Sequence, residues 1–311
     1  MDIIIGIENI NRKFRNPVLT LGNFDGVHLG HQNIFKAVKE EAQKIDGEAI
    51  VFTFDPHPLK VLAPERCPPP LTPFKKKLML MEMVGVDVII VATFDFDLAK
   101  ITPETFVERI LVDKIGAKKI LVGYNYYFGK DRRGNVEMLI RLGRQFGFEV
   151  KVVEAVKVND TPVSSSKIRE LIQCGEMRQA AQLLGRNYRL IGKVIWGTGR
   201  GKELGCPTAN LEIPNGLYPK TGVYAVEVIL GNKTYPGVAN VGYNPTFGEN
   251  PLSVEVHILD FTRDIYGEEI QLIFLERIRD EEAFEDPDSL VRQMRKDIDV
   301  ARRILLCRSP E

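Results

Sequence analysis

Two histidines and several glycines lie together after the first predicted strand, Val18–Leu21. They occupy residues 22–31, and a helical pattern of apolar residues follows. Glycines let the backbone approach a ligand, and the start of a helix offers unpaired N–H groups to phosphate. His28 and His31 are three residues apart, so both can face a developing negative charge from the first helical turn. The segment indicates phosphoryl or nucleotidyl transfer. The alternative is a pair of surface histidines at a helix start.

A second polar cluster lies at residues 164–169, where three serines precede Lys167 and Arg169 at the predicted start of a helix. Helix capping by a serine is one interpretation, because serine is favoured at that position. The cationic side chains also suit another role, since a departing pyrophosphate needs its charge neutralised. Together with residues 22–31, this cluster favours a nucleoside triphosphate as the ligand.

The second half of the chain contains a glycine-rich segment at residues 197–203, followed by Pro-Thr-Ala-Asn at 207–210. It is not a Walker A motif, because the glycine spacing is one residue short, Glu203 replaces the hydroxyl residue and no predicted helix follows. Flexible glycines still offer donors to phosphate, and the Thr208 hydroxyl and Asn210 carbonyl suit a hard cation bridged by ATP. The alternative is a polar turn in a β domain.

A carboxylate flanked by apolar residues lies on a predicted strand at residues 254–259. A kinase that acts on a primary alcohol needs a group to accept the hydroxyl proton, and Glu255 is a candidate for that base. The alternative is an ordinary strand residue that faces solvent. We expect structural roles for His257 on the same face and for Trp196, which we assign to the core.

The elements that must position these residues change character halfway along the chain. In the first half, β-branched runs that are apolar on both faces alternate with amphipathic stretches, which predicts a parallel sheet covered by helices. Ligands then bind at the carboxyl ends of the strands. The predicted strands are residues 18–21, 49–54, 86–92, 119–122 and 149–153.

After residue 164 the pattern predicts two helices, at residues 167–174 and 177–184, and then strands without intervening helices. These strands indicate an antiparallel barrel or sandwich, and an amphipathic helix at about residues 288–305 ends the chain. They are predicted at residues 188–195, 223–230, 233–240, 254–259 and 269–275. We therefore divide the chain into residues 1–185, including a helical connector at 166–185, and residues 186–311.

Composition limits the partners. Lysine and arginine total 42, as do aspartate and glutamate, so no net field favours nucleic acid or an anionic membrane. The four cysteines lie far apart without metal-like spacing, and no apolar run is long enough to cross a bilayer. We expect a cytoplasmic enzyme without nucleic-acid or membrane partners. Nothing in the sequence supports an oligomer.

Four ordered motifs together resemble the prokaryotic bifunctional riboflavin kinase/FMN adenylyltransferase family. They are residues 22–31 with their His-x-Gly-His pattern, 54–58, 123–129 and 165–169, and the similarity covers nearly the whole chain. It implies a Rossmann-like α/β nucleotidyltransferase domain with a parallel sheet, followed by an antiparallel six-stranded β-barrel riboflavin kinase domain with a terminal helix. The implied reactions are ATP-dependent phosphorylation of riboflavin to FMN and adenylyl transfer to FMN, which gives FAD and pyrophosphate.

In the N-terminal domain, the resemblance implies catalytic roles for His28, His31, Asn125 and Arg169. ATP contacts are implied for Gly22, Phe24, His28, His31, Ser165, Ser166 and Arg169, and flavin contacts for Phe54, Pro56 and Pro58. Tyr126-Tyr127 stands where family members often have Phe-Arg, which leaves the ligand contact at that position open.

In the C-terminal domain, the resemblance makes Glu255 the general base on the ribityl hydroxyl of riboflavin. It implies that Thr208 and Asn210 are the metal ligands that position Mg²⁺ with ATP. Further ATP contacts are implied for Gly199, Gly201 and Lys202, and a flavin contact for Arg279. Riboflavin, FMN, FAD and ATP are therefore the expected ligands.

Two other functions fit part of the sequence. The first is a different nucleotidyltransferase, acting on phosphopantetheine or nicotinate nucleotide, fused to a noncatalytic β domain. Such a protein shares the His-x-Gly-His motif but has no use for residues 207–210 or Glu255. The second is a flavin-binding sensor or storage module whose enzymatic residues are idle.

Overall fold

The computed structural model describes residues 1–197, 206–214, 216–243 and 252–306. They form two compact units. Unit 1 comprises Met1–Pro68 and Thr72–Ser164, and unit 2 comprises Pro69–Leu71 and Ser165–Glu311. Within the described ranges, no helix combines the length and the apolar character needed to span a membrane.

Unit 1 is built on a six-stranded sheet with the order β1-β4-β3-β2-β5-β8, in which all neighbouring strands are parallel. Two small hairpins, β6 with β7 and β9 with β10, complete its strands. The strands are β1 (Asp2–Ile5), β2 (Val18–Leu21), β3 (Ala49–Asp55), β4 (Val88–Thr93), β5 (Lys119–Gly123), β6 (Tyr127–Phe128), β7 (Gly134–Asn135), β8 (Glu149–Val153), β9 (Lys157–Val158) and β10 (Thr161–Pro162). The predicted parallel sheet is confirmed.

Helices cover this sheet with their apolar faces. The long helix after β2 buries Phe35, Val38 and Ala42, as the spacing of apolar residues predicts. The helices are α1 (Leu29–Lys44), α2 (Pro58–Leu62), α3 (Phe74–Val84), α4 (Phe96–Lys100), α5 (Pro103–Phe106), which continues as a π-helix over Val107–Lys114, and α6 (Val136–Phe146). Gly85 and Gly147 end α3 and α6 in the left-handed conformation that glycine adopts without steric cost.

Unit 2 contains two helices, a closed barrel and a final helix. The barrel has six antiparallel strands in the order β11-β12-β15-β14-β13-β16, which confirms the predicted barrel and excludes the sandwich. The elements are α7 (Ser165–Cys174), α8 (Met177–Leu184), β11 (Tyr188–Ile195), β12 (Ala209–Glu212), β13 (Gly222–Leu230), β14 (Lys233–Tyr243), β15 (Leu252–Ile258), β16 (Glu269–Arg279) and α9 (Pro287–Leu306). The predicted connector packs with this unit, because α8 contacts β11 and β16.

One charged cluster ties a helix to the sheet of unit 1. The Glu41 carboxylate on α1 is buried and accepts hydrogen bonds from Lys44 and Lys119, both at 2.7 Å, and from Lys151 at 3.2 Å. Hydrogen bonds from Lys119, Lys44 and Lys151 lower the pKa of Glu41 to about 2. The cluster therefore stabilises the packing of α1 on β5 and β8.

Replacing Glu41 by glutamine tests this contribution. The pKa of Glu41 is lowered from 4.5 in the folded protein, so its stabilising effect is complete above that pH and disappears as the pH falls toward 2. We expect Glu41→Gln to lose about 1–3 kcal/mol of unfolding free energy at neutral pH. The measurement is urea unfolding followed by circular dichroism, with Glu40→Gln, exposed on the same helix, as the control. A difference between wild type and Glu41→Gln that does not shrink in acid would contradict this assignment.

Candidate active sites

Three of the sequence motifs leave neighbouring strands of unit 1 at the same edge of the sheet. Strands β3, β2 and β5 are adjacent and parallel, and their carboxyl ends lead into residues 54–58, 22–31 and 123–129. The order in which strands join the sheet reverses between β2 and β5. Strands β3 and β4 lie on one side of β2, whereas β5 and β8 lie on the other side. Open α/β sheets bind ligands in the crevice at such a switch point. The topology therefore brings these three motifs to one candidate site.

The two histidines of this edge are in direct contact. His28 is the N-cap residue of α1, and its Nδ1 accepts a hydrogen bond of 3.3 Å from the backbone N–H of His31. An accepting Nδ1 carries no proton, so Nε2 is the donor atom of the His28 ring. The two rings stack with centroids 3.5 Å apart. A side chain at Gly30 would lie 3.2 Å from the His28 ring, which explains the glycine between them.

The Phe24 ring packs against His31 of this pair. Its ring is buried and meets the His31 ring edge-on at 5.2 Å and the Phe35 ring at 4.8 Å. A Cβ at Gly22 would lie 3.0 Å from the same ring, so a glycine there leaves space for it. Because the ring of Phe24 is packed in the core, the backbone of the turn is the part that can face a ligand.

The neighbouring segments present aromatic and polar groups. At the end of β3, Phe54 is half-buried against the rings of Phe52 and Phe94, and Pro56 and Pro58 are half-buried beyond it. After β5, Asn125 and Tyr127 are exposed, whereas Tyr126 stacks on Phe128 and burial raises the pKa of its hydroxyl. The Arg132 guanidinium lies 4.9 Å from the centre of the Tyr127 ring. A cation is therefore present beside the position where the sequence departs from the family pattern.

The predicted phosphate-binding residues of the serine-rich motif lie in unit 2. Helix α7 begins at Ser165, and Ser166 is exposed in its first turn. Lys167 donates a hydrogen bond to Glu170 at 2.7 Å. The Arg169 Nε donates a hydrogen bond to the carbonyl oxygen of Pro69 at 3.0 Å, and this bond fixes the position of the guanidinium group.

A row of polar side chains crosses three strands of the barrel. The register pairs Asn210 on β12 with Glu255 on β15, and Glu255 with Asn240 on β14. Paired residues of neighbouring strands share a face, and the buried neighbours Val254 and Val256 point to the opposite face, into the barrel. The sequence predicts Asn210 as a metal ligand, with a polar turn as the alternative, and the register adds Asn240 to the same row. The six-stranded register is what brings their amides beside the carboxylate.

The segment before β12 is hydrogen-bonded to two residues of β15. The Thr208 hydroxyl donates to a Glu255 carboxylate oxygen at 3.3 Å, and the His257 ring bonds the carbonyl oxygen of Pro207 at 2.8 Å. Since a carbonyl oxygen can only accept, Nδ1 of His257 carries the proton. His257 therefore has the structural role that the sequence predicts, because it holds residues 207–208 against β15.

Asn210 has the character of a ligand-binding residue. Its Oδ1 is buried and accepts no hydrogen bond from the described part of the chain, and a Cβ at Gly197 would lie 2.0 Å from its Nδ2. A buried carbonyl that has no donor among the described residues, beside a hydroxyl and a carboxylate, provides the oxygen ligands that hard cations prefer. The described residues contain no group of three His, Cys, Asp or Glu side chains arranged for a metal. A divalent cation here would therefore rely on ATP oxygens as further ligands.

Some predicted site residues either lie outside the described ranges or form an ion pair within unit 2. Gly199, Gly201 and Lys202 lie outside the described residues. Arg279 donates through Nε and Nη2 to the buried Asp297 carboxylate at 3.0 and 2.8 Å, which ties β16 to α9. No role was predicted for Asp297 from the sequence, although an acidic residue on the apolar face of the terminal helix indicates such a buried pair.

The prediction that Trp196 lies in the core is wrong. Its side chain is 72% exposed, and its ring stacks on Tyr266 with centroids 3.7 Å apart. The residue follows the last position of β11, so it lies beyond the strand ladder that buries alternate residues of the barrel. Trp196 precedes Gly197, whose backbone lies against the Asn210 amide.

Known proteins match both halves of the chain. A sequence model described as FAD synthetase matches residues 10–167, and one described as Riboflavin kinase matches residues 184–305. Relatives named bifunctional riboflavin kinase/FMN adenylyltransferase include one from Haemophilus influenzae, 36% identical over 97% of this chain and 98% of its own length, and one from Escherichia coli K12, 35% identical over 97% of both. The Listeria monocytogenes relative of that name is 40% identical over 91% of this chain and 90% of its own.

A solved structure has the same fold. It is a crystal structure described as a macrolide-efflux protein from Streptococcus pneumoniae, which is 32% identical with a TM-score of 0.87. The alignment covers 97% of this chain and 99% of that one. The similarity thus extends over both units in sequence and in fold, whatever function that description assigns to the other protein.

The helix cap made by His28 can be tested separately from any chemistry. Alanine at this position removes the acceptor for the His31 N–H, and we expect a loss of about 1 kcal/mol in unfolding free energy. Asparagine is a favoured N-cap residue, so His28→Asn should recover most of that loss. Thermal and urea unfolding of the three proteins measure the effect. Equal destabilisation by alanine and asparagine would rule out a capping contribution.

Proposed function

The chain belongs to the bifunctional riboflavin kinase/FMN adenylyltransferase family, and from that membership we propose which residues carry each of its two reactions. The chain is a transferase that phosphorylates riboflavin to FMN and adenylylates FMN to FAD, with ATP as the donor in both steps. We assign adenylyl transfer to the sheet edge of unit 1 and phosphorylation to the polar row of the barrel in unit 2. The observation that carries the second assignment is the buried Asn210 carbonyl beside Thr208 and Glu255.

In the kinase reaction, the ribityl hydroxyl of riboflavin attacks the γ-phosphorus of ATP, and the bond from that phosphorus to ADP breaks. Glu255 accepts the hydroxyl proton as the general base. Thr208 and Asn210 would hold the divalent cation that accompanies ATP, for which we propose Mg²⁺. Bound there, it would supply electrostatic stabilisation of the negative charge on the transferring phosphoryl group. Gly199, Gly201 and Lys202 are proposed to contact the phosphates, and Arg279, fixed by Asp297, to support the flavin slot.

In the adenylyl transfer, the FMN phosphate attacks the α-phosphorus of ATP in line, and pyrophosphate leaves. No protein nucleophile is required, so positioning and electrostatics supply the catalysis. We propose that Nε2 of His28 and the His31 ring donate to the phosphates as charge develops. Asn125 lies on the adjacent segment after β5 and is proposed to act on the same groups.

The remaining predicted contacts complete this assignment. Ser165, Ser166 and Arg169 are proposed to bind the β- and γ-phosphates, and the turn with Gly22 and Phe24 to approach the nucleotide through its backbone. Phe54, Pro56 and Pro58 are proposed as a wall for the flavin, because the half-buried ring of Phe54 offers an apolar surface. The domain boundary at 185, the cytoplasmic location and the absence of nucleic-acid and membrane partners stay predictions of the sequence.

Two variants separate the reactions. We expect Glu255→Gln to reduce FMN formation from riboflavin by about 10²- to 10⁴-fold, the range of general base catalysis, with FAD formation from supplied FMN unchanged. The double variant His28→Asn, His31→Asn retains the helix cap and should show the reverse pattern. Chromatographic separation of the flavins after incubation with Mg²⁺ and ATP measures both products. Loss of both reactions in either folded variant would disprove two independent sites, and a wild type that makes no FMN would favour a noncatalytic barrel.

The single tryptophan gives a binding assay for the kinase site. Trp196 is exposed and adjoins Gly197, which lies against the Asn210 amide, so ADP with Mg²⁺ should change its fluorescence. We expect Asn210→Ala to weaken the apparent affinity in this assay at least tenfold, because the cation loses a ligand. Asn232→Ala, in the exposed turn between β13 and β14, is the matched control. An unaltered titration in Asn210→Ala would contradict the metal-binding role.

A further inference from the structure

Unit 1 contains a buried cation that the reactions described above do not use. Lys77 on α3 is 7% exposed. Its Nζ donates to the carbonyl oxygen of Asn23 at 3.2 Å, the Thr53 hydroxyl at 3.2 Å and the carbonyl oxygen of Phe54 at 3.5 Å. All three acceptors are neutral, and the ion pairs of the described residues do not include Lys77. Among the described residues, the ammonium group therefore has hydrogen-bond acceptors but no contacting counter-charge.

A charge in this position is expensive to maintain. Burial lowers the pKa of Lys77, and the carboxylates of Asp25 and Asp55 offset this effect only in part. The ring of Phe74, 5.2 Å from Nζ, is the aromatic neighbour on the same helix. An apolar side chain of similar length would avoid the desolvation cost. Perturbed buried ionisable groups of this kind concentrate at functional sites.

The acceptors of Lys77 belong to two of the proposed ligand-binding segments. Asn23 lies in the turn that leaves β2, just before the histidine pair, and Phe54 lies in the proposed flavin wall at the end of β3. The Thr53 hydroxyl also donates to the Asn23 carbonyl at 3.3 Å. One ammonium group thus joins the ends of two adjacent strands at the sheet edge where anionic substrates are expected.

We propose that Lys77 is a positioning residue for adenylyl transfer: it fixes the turn at residue 23 to the end of β3 and obtains its counter-charge from substrate phosphate. This inference rests on the proposed location of adenylyl transfer in unit 1. Phosphate bound at this edge stabilises the charged form of a buried lysine, so binding must be linked to protonation of Lys77. The phosphate can be that of FMN or of ATP, and each ligand alone can be tested.

The main test replaces Lys77 by methionine, which keeps the length of the side chain without its charge. We expect FAD formation from FMN and ATP to fall about 10- to 100-fold in kcat/KM, mainly through a higher KM for the ligand whose phosphate faces the ammonium group. Phosphorylation of riboflavin by the same preparation should stay within about twofold, which shows that the protein is folded. Lys75→Met, exposed on the same helix, is the matched control and should not change either reaction.

A pH profile distinguishes this role from a purely structural one. Lys77 is charged below its lowered pKa and loses its charge as the pH rises, so wild-type adenylyl transfer should decline in alkaline solution below the usual lysine range. Lys77→Met should lack this decline. Calorimetric titrations with FMN alone and with ADP alone, in alkaline buffers of different ionisation enthalpy, should show proton uptake in the wild type that is missing in Lys77→Met.

Thr53→Val provides a second variant that preserves the shape of the side chain and the lysine itself. Loss of one acceptor should move the alkaline decline of adenylyl transfer to lower pH. The proposal is overturned if Lys77→Met or Thr53→Val leaves the rate and the pH profile of adenylyl transfer unchanged. It is also overturned if Lys77→Met lowers the rate without removing the alkaline decline. Failure of the wild type to make FAD at all would instead disprove the proposed function itself.

Discussion

The hydrogen-bonded register of neighbouring strands is the constraint on which both candidate sites depend. In unit 1, parallel pairing of β3, β2 and β5 places the segments that follow them at one edge, because all parallel strands end on the same side of a sheet. In unit 2, antiparallel pairing across β12, β15 and β14 places Asn210, Glu255 and Asn240 side by side. In each unit, residues far apart in the sequence meet because a ladder of backbone hydrogen bonds fixes their relative position.

The sequence predicts elements well where one physical signal is sufficient. β2, β8 and β11 have the predicted bounds, because each is a β-branched or apolar run between turn signals. β1 was missed although it contains a run of three isoleucines, because it has only four residues and lies at the edge of the sheet, where it pairs with β4. β12 was missed because it has only four residues, two of them polar. Short strands are held by pairing with their neighbours, and the pairing is not visible in the local pattern.

The sites show the same division between local and long-range information. The histidine pair and the cap of α1 are local, so spacing alone indicates their contact. The Arg279–Asp297 pair joins a strand to the terminal helix, and the exposure of Trp196 depends on where the barrel wall ends. These features need the tertiary structure. His28 also shows that one side chain can serve two purposes, since Nδ1 caps the helix and leaves Nε2 for a ligand.

The two buried charges of unit 1 illustrate how stability and function divide between the ends of the sheet. Glu41 lies beside the first residue of β5, where Lys44, Lys119 and Lys151 satisfy it within the protein. Lys77 lies at the opposite, carboxyl edge and contacts neutral oxygens. A protein selected for stability alone would satisfy or remove both charges, because an incompletely compensated buried ion is destabilising. The incomplete compensation occurs at the edge where we propose that anionic substrates bind, which is why we regard the charge of Lys77 as part of the site and that of Glu41 as part of the scaffold.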